Sequence, residues 1–136
     1  MNYELKRIIP SVIISLILIR VWIEVITTTV LKDSQLIDEI NNNKIGFHHY
    51  QFGLVALIIV VVFRKFLKNY LNYLSILEGI ALALIIDQYT YILSALGIHL
   101  PFDYRSQKDY LVEIVLILLF ISSWFFLDKK AITEKE

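Results

Sequence analysis

The chain contains no cysteine, only four glycines and two prolines, and no surplus of either charge among its 136 residues. Without cysteine there is no disulfide framework, no thiolate metal site and no cysteine nucleophile. So few glycines and prolines exclude a fibrous or low-complexity chain. Thirteen Lys and Arg balance thirteen Asp and Glu, so the bulk charge gives no indication of nucleic acid as a partner.

Apolar residues are what the chain has in excess. They make up 57% of the sequence, against about 45–50% in ordinary soluble domains, and the mean hydropathy is +0.65. A helix that spans a bilayer needs about 20 largely apolar residues. Four stretches qualify, and they lie at about residues 8–30, 48–66, 71–97 and 110–127. The sequence therefore predicts an all-α membrane protein in which residues 1–136 form one domain, a bundle of four transmembrane helices.

The distribution of Lys and Arg predicts how the chain is oriented. The first stretch is too long for a signal peptide, and no small-x-small cleavage site follows it, so it is interpreted as a retained helix. Placing both termini and the link between the second and third spans on one side gives eight Lys and Arg there, against four on the other side. Lys and Arg are enriched in short cytoplasmic segments. We therefore expect a multi-pass protein of the plasma membrane with both termini cytoplasmic and the lipid bilayer as its immediate partner.

Charged residues inside the predicted spans are the candidates for function. Each costs about 2.5–3.5 kcal/mol at the centre of a bilayer on insertion scales, so each requires a partner, water or a role. Arg20 and Glu24 are one helical turn apart, which predicts an intramembrane ion pair. Glu78 is expected either to snorkel to the interface or to pair with Arg64 or Lys68. The remaining polar residues converge on the extracytoplasmic end, and this predicted polar cluster consists of His48, His49, Asp87, Gln88, Arg105 and Glu113.

Small residues along the third span indicate which of its faces points into the bundle. Ser75, Gly79, Ala83 and Asp87 recur at intervals of four, which places them on one helical stripe. Small residues at this spacing allow close helix packing. The second span carries a shorter stripe that begins at His49, so we expect spans two and three to pack together, with His49 near Asp87.

Three classes of function fit the polar cluster. The first is helix packing or the binding of a partner subunit, with a homo-oligomer as one form of assembly. The second is a ligand site. Its ligand is either a divalent metal, which imidazole and carboxylate suit, held by His48, His49 and Asp87, or a lipid headgroup whose anion contacts Arg105. A membrane enzyme also belongs to this class. The third is a small proton-coupled transporter or channel that acts as an oligomer. No short metal, phosphate-loop or nucleic-acid signature is present, and the sequence alone identifies neither a catalytic residue nor a cofactor.

Two segments carry a resemblance to a known family. His-His-Tyr-Gln-Phe-Gly occupies residues 48–53, and a helix with small residues ends in Ile-Asp-Gln at residues 86–88. These segments resemble a family of small uncharacterised integral membrane proteins of bacteria and archaea. That family pairs a His-His-x-x-x-Gly entry with a glycine-rich helix ending in Leu-Asp-Glu, followed by an outer loop that contains an aromatic residue and Arg-Ser, here Tyr104, Arg105 and Ser106. The resemblance implies a membrane bundle with His48, His49, Asp87 and Arg105 as the residues of interest, and Gln88 departs from the family's Glu.

Overall fold

A computed structural model of the protein describes residues 4–30, 49–102 and 104–133. These ranges contain five α-helices and no strand, which confirms the all-helical prediction. In chain order the helices are α1 (Leu5–Val25), α2 (His49–Phe63), α3 (Leu71–Asp87), α4 (Tyr89–Ala95) and α5 (Gln107–Thr133). A π-helical turn, Ile26–Val30, continues α1, and a 3-10 turn, Lys68–Tyr70, precedes α3.

Within these described ranges, three helical segments are long and apolar enough to cross a membrane. They are Leu5–Val25, Lys68–Asp87 and Gln107–Leu127, and they coincide with the first, third and fourth predicted spans. The helix α2 is equally apolar but shorter, with 15 residues. The membrane character of the chain thus follows from α1, α3 and α5, whereas the four-span count stays a prediction.

Helix α1 packs closely against α3 because α3 has no side chain at the crossing point. A methyl group built on Gly79 would lie 2.8 Å from the main-chain oxygen of Ile8 and closer still to Ser11. Above this crossing, Val12, Leu16 and Ala83 are buried and form the centre of the apolar core. The predicted stripe of small residues on α3 therefore faces inward, since Ser75, Gly79, Ala83 and Asp87 are all buried.

The helices α2 and α5 lie on either side of this pair. A methyl group on Gly53 of α2 would lie 2.6 Å from the main-chain oxygen of Ala81, so α2 approaches α3 as closely as α1 does. Helix α5 contacts α1 and contributes Ile117 and Phe120 to the edge of the core. Most of the remaining apolar surface of α2 and α5 is exposed, as expected for helices that face lipid.

The predicted third span, at about residues 71–97, is divided into two helices. Gln88 has φ −110° and ψ 27°, so regular helix ends at Asp87 and begins again at Tyr89. The main-chain oxygen of Asp87 accepts a hydrogen bond of 3.2 Å from the Arg20 guanidinium. Carbonyls in the last turn of a helix lack an intrahelical donor, and Arg20 supplies one here. The interruption therefore lies where α1 and α3 meet through polar groups.

Candidate functional site

One buried arginine lies between carboxylates from two other helices. Arg20 Nε is 2.7 Å from Asp87 Oδ1 and 2.7 Å from Glu113 Oε2, and its Nη2 is 3.1 Å from Asp109 Oδ2. The side chains of Asp87 and Asp109 are fully buried, and those of Glu113 and Arg20 are 6% and 11% exposed. We refer to these four residues as the Arg20 cluster, and it connects α1, α3 and α5.

The local sequence explains how this cluster assembles. Asp109 and Glu113 are one turn apart in α5, so their side chains lie on the same helix face. Asp87 is the last residue of α3 and presents both its carboxylate and its main-chain oxygen to α1. The planar guanidinium presents its nitrogens in several directions: Nε faces both Asp87 and Glu113, and Nη2 faces Asp109.

Two tyrosines extend the cluster towards the loop between α4 and α5. The Arg20 guanidinium carbon lies 4.8 Å from the ring centre of Tyr104 and 5.1 Å from that of Tyr110, within cation–π distance. The Tyr104 hydroxyl donates a 2.9 Å hydrogen bond to Asp87 Oδ2. Burial, and next the Asp87 carboxylate, raise the pKa of Tyr104 above its usual range. Tyr104 therefore stays protonated near neutral pH and remains a donor to Asp87.

The break in the third predicted span places Gln88 against the start of α2. The Gln88 Nε2 atom lies 3.3 Å from His49 Nδ1, within hydrogen-bond distance. The main-chain N–H of Tyr50 donates to Gln88 Oε1 at 3.4 Å. Because N–H groups in the first turn of a helix lack intrahelical acceptors, Gln88 satisfies one of them and fixes the position of His49.

A polar pocket of about 520 Å³ opens beside the Arg20 cluster. On one side Glu24 Oε2 accepts a hydrogen bond from Arg105 Nη2 at 3.2 Å and another from the Tyr110 hydroxyl at 3.3 Å. The backbone of Arg105 is bound to the Arg20 cluster, because its main-chain N–H donates to Asp109 Oδ2 at 2.8 Å. We call this cavity the mouth pocket; its lining residues are Ile23, Glu24, His49, Gln88, Tyr91, Tyr104, Arg105 and Tyr110.

A second ionic cluster lies towards the opposite end of the bundle, where α2 ends and α1 begins. Arg64, just after α2, pairs with Glu78 at 3.1 Å and with Glu4 just before α1. The predicted pairing of Glu78 with Arg64 is therefore confirmed. The Arg64 side chain is 34% exposed, and those of Glu4 and Glu78 are 26% and 20% exposed. We call these three residues the Arg64 cluster.

The predicted ion pair between Arg20 and Glu24 is replaced by pairs with other residues. Arg20 turns into the bundle towards its three carboxylates, whereas Glu24 lies nearer the end of α1, where Arg105 and Tyr110 reach it. The physical reason is the number of buried carboxylates, because each of them needs a donor that water does not supply.

The predicted metal ligands are not brought together among the residues described. Asp87 faces Arg20 and Tyr104, and His49 faces Gln88. His48 lies outside the described ranges. Within those ranges no group of three or more His, Asp and Glu is arranged to hold a metal ion. The guanidinium of Arg20 occupies the position among the carboxylates that a cation would take.

The structure divides the predicted polar cluster into two layers and adds members to it. Asp87 and Glu113 belong to the buried Arg20 cluster, whereas His49, Gln88 and Arg105 line the mouth pocket. Asp109 was not among the predicted site residues, although its spacing of four from Glu113 was visible in the sequence. The part played by Tyr110 had no such signal, because aromatic residues near a membrane interface are common without any specific contact.

No protein-family model, curated protein or solved structure matches this chain.

Proposed function

We propose that this protein is a four-span plasma-membrane protein whose Arg20 cluster joins three helices and supports an extracytoplasmic binding pocket. The observation that carries the proposal is the contact of one buried guanidinium with carboxylates of α3 and α5. A buried charge is tolerated in a membrane when it is paired inside the bundle. The cluster thus serves helix packing, and the mouth pocket above it is available for binding.

The fourth span in this proposal is α2. Its described 15 residues would extend about 22 Å at 1.5 Å per residue, against a hydrocarbon thickness of about 30 Å. Its surface away from α3 is apolar and exposed, with Val55, Ile58 and Val62 each more than half exposed. A short span of this kind is accommodated by local thinning of the bilayer or by flanking residues.

The proposed topology can be tested because the chain has no cysteine of its own. Asn69 and Gln107 are exposed residues at opposite ends of the bundle, so each can be replaced singly by cysteine. With both termini cytoplasmic, a membrane-impermeant maleimide should label Gln107→Cys in intact cells and Asn69→Cys only after permeabilisation. The reverse pattern would place the mouth pocket in the cytoplasm.

The helix-joining role can be tested by spin labelling of α1 and α5. Leu18 and Leu118 are exposed positions on these helices, so labels there should not disturb the core. We expect a narrow distance distribution in the otherwise unchanged protein and a broad one when Arg20→Gln is added. The matched control is Arg64→Gln, which should leave the distribution narrow; equal broadening by both changes would contradict the proposal.

A second candidate function, proton transport by an oligomer, rests on the charge count of the Arg20 cluster. Three carboxylates surround one guanidinium, and uncompensated buried charges cost several kcal/mol each. Protons on the carboxylates would supply the missing positive charge. In proteoliposomes with an internal pH dye, this candidate predicts proton uptake that Glu113→Gln abolishes in a folded protein; a wild-type rate equal to that of empty vesicles excludes it.

A further inference from the structure

The mouth pocket contains one guanidinium and one carboxylate side by side. Among its lining residues Arg105 and Glu24 form an ion pair, and their side chains meet at 3.2 Å. We propose that the pocket binds a zwitterionic group composed of a phosphate and an ammonium, with the phosphate on Arg105 and the ammonium on Glu24. This inference rests on the proposed function, because it takes the mouth pocket as the binding site.

The two charged residues are positioned for this role and are reachable. Arg105 has φ 65°, an uncommon conformation for a residue other than glycine, and its main-chain N–H is bound to Asp109 of the Arg20 cluster. Its side chain is 34% exposed and that of Glu24 is 56% exposed. The loop conformation thus fixes where Arg105 leaves the backbone, while both charged ends remain accessible from the pocket.

The chemistry of the pocket favours a ligand with both charges. Guanidinium groups bind phosphate through paired hydrogen bonds, and an ammonium is stabilised by a carboxylate together with aromatic rings such as Tyr91. A ligand with only one charge would take one member of the Arg105–Glu24 pair and leave the other without its partner. A zwitterion replaces both halves of the pair at once, so it should bind more tightly than either of its halves.

Soluble probes test this without a membrane lipid. The protein in detergent, with its helix content and monodispersity verified, is titrated calorimetrically with glycerophosphoethanolamine, glycerol 3-phosphate and ethanolamine. We expect the zwitterion to bind at least about 10-fold more tightly than glycerol 3-phosphate, which lacks the ammonium, or ethanolamine, which lacks the phosphate, a difference equivalent to about 1.4 kcal/mol. Equal affinities for the zwitterion and glycerol 3-phosphate, or no binding of the zwitterion, would overturn the proposal.

Variants distinguish the two charged contacts. Arg105→Gln should reduce affinity for the zwitterion at least about 10-fold, and Glu24→Gln should reduce the zwitterion's affinity to that of glycerol 3-phosphate. The exchanged pair Glu24→Arg/Arg105→Glu should bind more tightly than either single variant, because both charges are present again. Arg64→Gln, which alters the other ionic cluster, should bind like the wild type. Losses of the same size in all four variants would contradict a site at the mouth pocket.

Bilayers identify the source of the zwitterion. In nanodiscs of phosphatidylglycerol with and without phosphatidylethanolamine, a lipid headgroup ligand predicts that the second lipid competes with glycerophosphoethanolamine. Unchanged binding of the soluble probe in both discs would assign the site to a free zwitterion. The outcome is separable from that of the helix-joining proposal, since broad α1–α5 distances in Arg20→Gln would be measured regardless of any ligand.

Discussion

The two ends of the bundle carry the same kind of interaction in different surroundings. At one end Arg20 contacts Asp87, Asp109 and Glu113, whose side chains are at most 6% exposed. At the other end Arg64 contacts Glu4 and Glu78, whose side chains are at least 20% exposed. Solvent can replace the lost partner in the Arg64 cluster but has no access to the carboxylates of the Arg20 cluster. Burial, more than the number of ion pairs, therefore decides which arginine the fold depends on.

The largest effect should come from removing the buried arginine. Arg20→Gln leaves three carboxylates without their guanidinium, and breaking a buried pair in this way costs about 3–5 kcal/mol. The free energy of unfolding, measured by titration with a denaturing detergent, should fall by that amount. Arg20→Lys keeps the charge, but its single ammonium lacks the planar guanidinium that faces three carboxylates. We therefore expect its loss in free energy of unfolding to lie between zero and that of Arg20→Gln. A loss for Arg20→Gln no larger than about 1 kcal/mol would contradict the comparison.

A smaller effect should follow from removing one hydrogen bond inside the Arg20 cluster. Tyr104→Phe keeps the aromatic ring over Arg20 but deletes the hydroxyl that donates to Asp87. Hydrogen bonds to charged groups contribute about 1.5–3 kcal/mol, so the free energy of unfolding should fall by a value in this range. Tyr73→Phe is the matched control, since this tyrosine is 69% exposed and lies away from the Arg20 cluster. Equal stability of Tyr104→Phe and the wild type would show that the Asp87 hydrogen bond contributes nothing.

The packing between the two clusters provides the next prediction. Gly79→Ala introduces a methyl group that would lie 2.8 Å from the main-chain oxygen of Ile8, so α1 and α3 must move apart. Overpacking of this kind typically costs about 1–3 kcal/mol. This cost is measured as the difference in free energy of unfolding between Gly79→Ala and Ser94→Ala, a control at an exposed position. If both variants unfold alike, the close crossing of α1 and α3 is wrong.

The smallest effect is expected for Arg64, which is only partly buried. Arg64→Gln removes pairs that are partly open to solvent, and such pairs contribute about 0–1 kcal/mol. The same detergent titration should place this variant within about 1 kcal/mol of the wild type. High salt should reduce even this difference, because exposed charges are screened. A loss as large as that of Arg20→Gln would remove the distinction between the two ends.

The sequence predicted the helices well because their signals are local. The apolar stretches located α1, α3 and α5, and the small residues at intervals of four identified the buried face of α3. The division of the third span at Gln88 was not predictable in this way. At this point Arg20, 67 residues away in sequence, donates to the main-chain oxygen of Asp87, and periodicity within one helix holds no information about that contact.

The candidate site was predicted in its location but not in its pairing. Among the described residues, Asp87 and Glu113 of the predicted polar cluster meet at Arg20, yet Arg20 contacts three distant carboxylates in place of Glu24. Glu24 is the nearest acid in sequence and therefore the natural first choice. Which acids an arginine meets depends on how α1, α3 and α5 are rotated about their axes, and this rotation is set by close contacts such as that of Gly79.

A double-mutant cycle between Arg20 and Glu113 tests most directly whether the Arg20 cluster holds α1 and α5 together. The free energy of unfolding is measured for Arg20→Gln, Glu113→Gln and the double variant, each as a monodisperse sample in the same detergent. Because the two side chains meet at 2.7 Å, we expect the loss in free energy of unfolding of the double variant to be at least about 1 kcal/mol smaller than the sum of the two single losses. Additive losses would contradict the claim.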